Sequence, residues 1–172
     1  MPTLSKPCLL VVDDETEVCE SVYHLLHRKY HVLRATTAEE AGRLMKENKV
    51  HIIMTDQRMP GMTGVEILQQ VKTQHPEAVR MLFTGYADVH SVVAAINQGH
   101  VYRYLTKPWQ PEELEAAVAD AALEYDRIVR RAKDLMECIT RLTSLEKEQA
   151  RLQERLSELE QENRRLSGLL KP

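Results

Sequence analysis

No stretch of this 172-residue sequence stays apolar for the roughly 18 to 20 residues that a membrane-spanning helix requires. Met1 to Cys8 also lack the apolar core of a signal peptide, so the expected location is the cytoplasm, with no membrane partner. Basic residues are not in excess: 23 Lys and Arg stand against 26 Asp and Glu, a net charge of −3. Charge therefore supplies no nucleic-acid footprint, and no direct nucleic-acid contact is expected of this chain. Cysteine is sparse. Cys8, Cys19 and Cys138 share no metal-ligand spacing and do not group with the seven histidines, which excludes a zinc site or a disulfide framework.

Glycine and proline are both missing from Glu112 to Ser167, and that gap divides the chain. Before it, short apolar runs alternate with amphipathic stretches. The runs are Cys8 to Val12, His31 to Ala35, Val50 to Thr55, Val79 to Thr84 and Val101 to Leu105. Between them, helical spacing recurs at Val18, Val22, Leu25 and Leu26, at Ala38, Ala41, Leu44 and Met45, at Val65, Leu68 and Val71, and at Val92, Val93 and Ile96. Strands separated by helices in this way build a parallel sheet. Its first, third and fourth runs are apolar almost throughout, as strands covered on both faces must be, whereas the second is weaker and reads as an edge. The expected fold is a doubly wound, five-stranded α/β domain whose ligands bind beyond the carboxyl ends of the strands.

Chemistry-bearing residues stand at those ends. Asp13 and Asp14 follow the first run and Asp56 follows the third. If the two strands are neighbours, three carboxylates converge and repel by roughly 4 kcal/mol per pair at about 4 Å and an effective dielectric constant of about 20. A divalent cation relieves this, and a few carboxylates with retained water suit Mg²⁺. Helix capping would account for one of the three, and not for Asp56, which a loop of Gln57 to Gly64 separates from the next helix. Gly61 and Gly64 read simply as loop and helix-start glycines. Thr84 closes the fourth run and Lys107 follows the fifth, so a hydroxyl and an ammonium join the cluster. Such groups hold the oxygens of a phosphoryl group, and positioning of this kind is most of what phosphoryl transfer needs.

Four strings, Val11-Val12-Asp13-Asp14-Glu15, Thr55 to Gly64, Phe83-Thr84-Gly85 and Tyr104-Leu105-Thr106-Lys107-Pro108, resemble the receiver domain of two-component response regulators, the CheY-like superfamily. The resemblance covers Leu9 to about Ala122. It implies a flavodoxin-like strand order of 2-1-3-4-5, a worked example of the doubly wound rule, and a receiver domain over residues 1–122. It also implies that Asp56 accepts a phosphoryl group from a histidine kinase or phosphotransfer protein. Asp14, Asp56 and the backbone carbonyl of Arg58 would ligate Mg²⁺, with Asp13 acting through water. Lys107 would pair with the phosphoryl oxygens, Thr84 would move to bond them, and Tyr104 would rotate into the space vacated. The Lys107–Pro108 bond would be cis. Arg58 and Tyr86 would occupy the rim positions that set how long the acyl phosphate lasts. A phosphatase of the haloacid dehalogenase type would need a second Asp at position 58, where Arg58 stands. The chain is thus expected to be a phosphoacceptor and not an enzyme in its own right.

From Pro111 onward the expectation is one long helix. At about 1.5 Å per residue it would extend about 90 Å by Leu170, so most of it needs a partner other than the domain. Leucines recur in heptads, with Ile128, Leu135, Leu142, Gln149, Leu156, Asn163 and Leu170 at a, and Cys138, Leu145, Leu152, Leu159 and Leu166 at d. Residues 123–172 are accordingly expected to form a parallel dimeric coiled coil, with Asn163 meeting its own copy across the axis. Attractive pairs Arg141 with Glu146 and Arg155 with Glu160 fit a homodimer. No basic run precedes the zipper, which argues against a DNA-binding leucine zipper. The end at Lys171-Pro172, after an intact heptad, suggests a linker to an output domain. The strings around Thr84 and Lys107 resemble receivers attached to an enhancer-binding ATPase or a phosphodiesterase-type domain, so a transcriptional or second-messenger output is expected. The alternative is a stand-alone, phosphorylation-regulated coiled-coil adaptor.

Overall fold

The computed structural model describes residues 6–85, 93, 96 and 100–169, with side chains through residue 166. In chain order it contains β1 (Cys8–Val12), α1 (Thr16–Leu26), β2 (His31–Ala35), α2 (Ala38–Glu47), β3 (Ile52–Asp56), α3 (Gly64–Gln74), β4 (Val79–Thr84), β5 (Arg103–Thr106) and α4 (Pro111–Leu169). Val93 and Ile96, between β4 and β5, are helical; Val92 lies outside the described residues. The strands form one parallel sheet in the order β2-β1-β3-β4-β5, as expected.

Alternation along the buried strands divides the core into two layers. Leu9, Val11, Ile52, Met54, Val79, Met81 and Phe83 point to the face covered by α1 and the start of α4. Leu10, Val12, Ile53 and Leu82 point to the other, beneath α2 and α3. Because both faces are covered, β1 and β3 are buried at every position, which is why each reads as an unbroken apolar run. The second strand shows exposed, half-buried and buried positions in turn and lies at the sheet edge, in keeping with its weaker run.

Local sequence sets the helix starts. Thr63 and Glu66 form a reciprocal capping box at α3, with the Glu66 carboxylate accepting the Thr63 N–H at 2.8 Å. Thr37 caps α2 by accepting the Glu40 N–H at 3.1 Å. Pro111 opens α4, where its missing N–H costs nothing, with Glu112 and Glu113 in the first turn. By its contacts the chain divides into two compact units, Met1–Val129 and Arg130–Pro172. Ala117, Val118, Ala121 and Tyr125 of α4 belong to the core of the first, with Ile128 packed beside them. In the second, every described side chain is exposed. Among the described residues no helix is long and apolar enough to cross a membrane.

Candidate functional site

Register decides what meets at the carboxyl ends of the strands. β1 pairs with β3 up to Val12 opposite Thr55, and β3 pairs with β4 up to Asp56 opposite Phe83. Asp13 therefore leaves β1 level with Asp56, the last residue of β3. Both are buried, Asp13 completely. On the far side of β4, Thr84 pairs with Thr106, and the Lys107 N–H donates to the Thr84 carbonyl at 2.8 Å. Lys107 thereby starts its side chain beside the same edge, and its bond to Pro108 is cis.

The Lys107 ammonium bridges the two carboxylates, 2.7 Å from Asp13 Oδ2 and 2.6 Å from Asp56 Oδ1. Burial alone would lower its pKa, but the hydrogen bonds and charges of Asp13 and Asp56 outweigh that and hold it above its ordinary 10.5. Lys107 is thus a fixed cation. Below it the Phe83 ring stacks on Trp109 with centroids 4.3 Å apart, an apolar wall that limits water on that side.

Each carboxylate spends its second oxygen on the backbone. Asp13 Oδ1 accepts the Glu15 N–H at 3.0 Å, and Asp56 Oδ2 accepts the Arg58 N–H at 2.6 Å. Both side chains are thus oriented from two directions. Thr84 is fully buried and donates its hydroxyl to the Gly85 carbonyl at 3.1 Å. Tyr104 is half-buried and packs against the cluster on the α2 and α3 side. Arg58 is exposed, and Tyr86 lies outside the described residues.

The convergence of three carboxylates read from the sequence is, in the structure, a pair bridged by an ammonium. Asp14 is exposed, and among the described residues no group of three or more His, Cys, Asp or Glu side chains is arranged to hold a metal ion. The reason is electrostatic: Lys107 relieves the repulsion between the two buried carboxylates. One ammonium against the buried Asp13 and Asp56 leaves one negative charge uncompensated, with the exposed Asp14 next in sequence. The side-chain donors are hard oxygens and few in number, a set that suits Mg²⁺ with retained water. On that chemistry the residues fit the ion.

In the sequence Gln57 looks like no more than the first residue of a polar loop. Gln57 is buried, and its side-chain oxygen accepts the Val65 N–H at 3.2 Å while its backbone carbonyl accepts the Gly64 N–H at 3.1 Å. Its own N–H donates to the Phe83 carbonyl at 3.0 Å. Gln57 thus ties the residue after Asp56 to β4 and to the start of α3, closing the loop that carries Arg58. A polar residue directly after a strand-end carboxylate was the one available signal.

The sequence matches the family described as response regulator receiver domain over residues 9–119. Among curated proteins it is 41% identical over 113 residues to the hydrogenase transcriptional regulatory protein HoxA of Cupriavidus necator, covering 66% of this chain and 23% of that protein. It is 38% identical over 117 residues to the protein of the same name from Bradyrhizobium diazoefficiens, covering 68% and 24% respectively. The chain therefore spans about a quarter of the length of these relatives. Among solved structures, the signal receiver domain of an HD domain-containing protein from Pseudomonas fluorescens Pf-5 superposes with a TM-score of 0.71 at 30% identity, covering 76% of this chain and 97% of that one. A structure titled adenylate cyclase from Rhodopirellula baltica gives 0.73 at 30% identity, covering 76% and 97%.

Proposed function

Since the chain belongs to the response regulator receiver domain family, we propose that it is a phosphorylation switch whose acceptor is Asp56 and whose donor is a histidine kinase or phosphotransfer protein. The observation that carries this reading is the Lys107 ammonium within 2.7 Å of both Asp13 and Asp56. A carboxylate oxygen of Asp56 attacks phosphorus in line with the leaving imidazole. The new bond is the acyl phosphate O–P bond, the P–N bond breaks, and the imidazole nitrogen keeps the electron pair and takes a proton from water. Lys107, already placed and charged, neutralises the phosphoryl oxygens as they approach, and the Arg58 N–H keeps the carboxylate in orientation. Asp14, Asp56 and the Arg58 carbonyl, with Asp13 acting through water, would hold Mg²⁺, which would supply further neutralisation of the transferred group's charge.

The response begins at Thr84. Its hydroxyl, bonded to the Gly85 carbonyl at rest, turns to a phosphoryl oxygen, and Tyr104 moves into the space vacated. Arg58 and Tyr86 restrict water at the rim and set the lifetime of the acyl phosphate. Of residues 123–172, those from Arg130 onward pair as a parallel dimeric coiled coil, Tyr125 and Ile128 being held by the first unit's core, and carry the change onward in the cytoplasm to a transcription-regulatory output. The names of the two hydrogenase regulators support that output over a second-messenger one.

Incubation with a small phosphodonor such as acetyl phosphate tests the acceptor. Acid-labile phosphate should appear on the parent protein only with Mg²⁺ present, and Asp56→Asn should abolish it with the fold intact by circular dichroism. Labelling that survives in Asp56→Asn overturns the assignment.

A further inference from the structure

The exposed apolar stripe of α4 does not keep one heptad phase. In the downstream part it runs Leu142, Leu145, Gln149, Leu152, Leu156, Leu159, Asn163 and Leu166, alternating steps of three and four as a coiled-coil seam requires. Carried upstream, that phase would place Arg131 and Cys138 at d. Ala132, Leu135, Ile139 and Leu142, with Met136 exposed beside them, again stand in steps of three and four, but with Leu135 and Leu142 at d rather than a. Leu135, Ile139, Leu142 and Leu145 are all exposed, from 49% for Ile139 to 62% for Leu135. The two series meet at Leu142, where consecutive steps of three replace the alternation. Such a change of phase by three residues overwinds a coiled coil locally.

A second observation falls on the same turn. The Thr140 hydroxyl donates to the Met136 carbonyl and the Thr143 hydroxyl to the Ile139 carbonyl, each at 2.9 Å. Threonines bonded back in this way weaken and bend helices slightly. Cys138, Ile139, Thr140, Thr143 and Ser144 together form the stretch of lowest helix propensity in a segment otherwise rich in Leu, Glu, Arg, Lys and Gln. The helix is softest where the seam changes phase.

We propose that a second copy of this chain covers both series in parallel, with a register break at Leu142: Ala132, Leu135, Ile139 and Leu142 as a, d, a and d upstream, and Leu142 serving as a for the zipper that follows. This rests on the dimeric reading of the coil and deepens it. The occupant is a second copy because the charges are self-complementary. In the downstream phase Arg141 faces Glu146 and Arg155 faces Glu160 of an identical parallel chain, and Asn163 meets itself. Ile at a with Leu at d, as at Ile139 and Leu142, favours two strands. The coil then has a zipper from Leu145 to Leu166 and, above the break, a short segment whose phase is set separately. A rotation of the upper segment is absorbed at the Thr140–Thr143 turn without unzipping the lower one.

Interchain disulfide formation in the full-length chain separates the two registers. Copper phenanthroline with dioxygen removes two electrons and two protons from a pair of thiols as the S–S bond forms. Three proteins, each with one exposed cysteine beside the buried Cys8 and Cys19, are compared: the native chain with Cys138, Ile139→Cys with Cys138→Ser, and Leu152→Cys with Cys138→Ser. Core positions bring Cβ atoms within bonding reach and flanking ones do not, so the cysteines at 139 and 152 should cross-link at similar rates, with Cys138 about five-fold or more slower. Cross-linking of Cys138 at a rate equal to or above that at 139 means an uninterrupted heptad and overturns the break. Cross-linking at 152 without cross-linking at 139 overturns the upstream pairing and leaves the zipper standing. A chain that is monomeric by sedimentation and does not cross-link at 152 removes the dimeric reading and the break with it.

Discussion

Gly64 passes so close beneath Asp56 that a Cβ built on it would stand 2.2 Å from the Asp56 carbonyl oxygen and 2.7 Å from Cδ1 of Leu82. The first of these neighbours is backbone and cannot swing aside. Gly64→Ala should therefore push α3 away from β3 and destabilise the fold by about 1–3 kcal/mol, the usual cost of overpacking a filled interior. Urea unfolding should show a lower midpoint with an unchanged slope. An unchanged midpoint would mean that the first turn of α3 shifts freely, and with it the loop that orients Asp56.

Lys107→Met should be felt first as instability. Removing the ammonium leaves Asp13 and Asp56 facing each other without compensation, and breaking a buried pair on one side costs about 3 kcal/mol or more. Added Mg²⁺ should raise the unfolding midpoint of the variant by more than that of the parent, because the cation replaces part of the lost positive charge. Equal shifts in the two proteins would separate the metal from these carboxylates.

His51 ties stability to pH. Its Nδ1 accepts the Cys8 N–H at 3.0 Å, and its ring lies 4.5 Å from that of Tyr125. Burial first, and then the charge of Lys49, lower its pKa below the ordinary 6.5, against the opposing pull of Asp126 and of a backbone hydrogen bond at Lys49. The folded protein thus binds the proton more weakly than the unfolded chain. Stability from this group is complete above pH 6.5 and declines as pH falls from there towards the folded value, at no more than about 1.4 kcal/mol per pH unit. His51→Gln should flatten the stability profile between pH 7 and pH 5; an equal slope in both proteins would refute the assignment.

The three thiols should react very differently. Burial, helped by the charge of Asp13, pushes the Cys19 thiol up to about 11, and burial also raises Cys8, whereas Cys138 is exposed. Since the thiolate is the reactive form, a disulfide reagent at pH 8 should titrate Cys138 rapidly and reach Cys8 and Cys19 only on unfolding. Cys138→Ser should then show almost no fast phase.

Much of the site was legible because parallel strands buried on both faces leave nearly continuous apolar runs, and each run ends abruptly at the residue that enters the crevice. Asp13, Asp56, Thr84 and Lys107 could be named on that ground alone. Gln57 could not, because whether a polar residue after a strand faces water or spans a loop depends on how far β3 stands from α3. The heptads of α4 are equally plain in outline, whereas the register break proposed at Leu142, which moves Cys138 off d, draws on the exposed Ile139 and the Thr140 and Thr143 back-bonds.

Periodicity by itself determined the alternation of strands and helices, the carboxylates and ammonium at the strand ends, and a long helix with an apolar stripe. These features are local, written in spacings of two, three and four residues, so a linear reading suffices. Tertiary structure alone decided that Asp13 is sealed in while its neighbour Asp14 is exposed, that Lys107 bridges Asp13 and Asp56, and that position 64 admits no side chain. Each of those depends on the register between strands distant in sequence, and a single step of register would have exchanged the buried carboxylate for the exposed one.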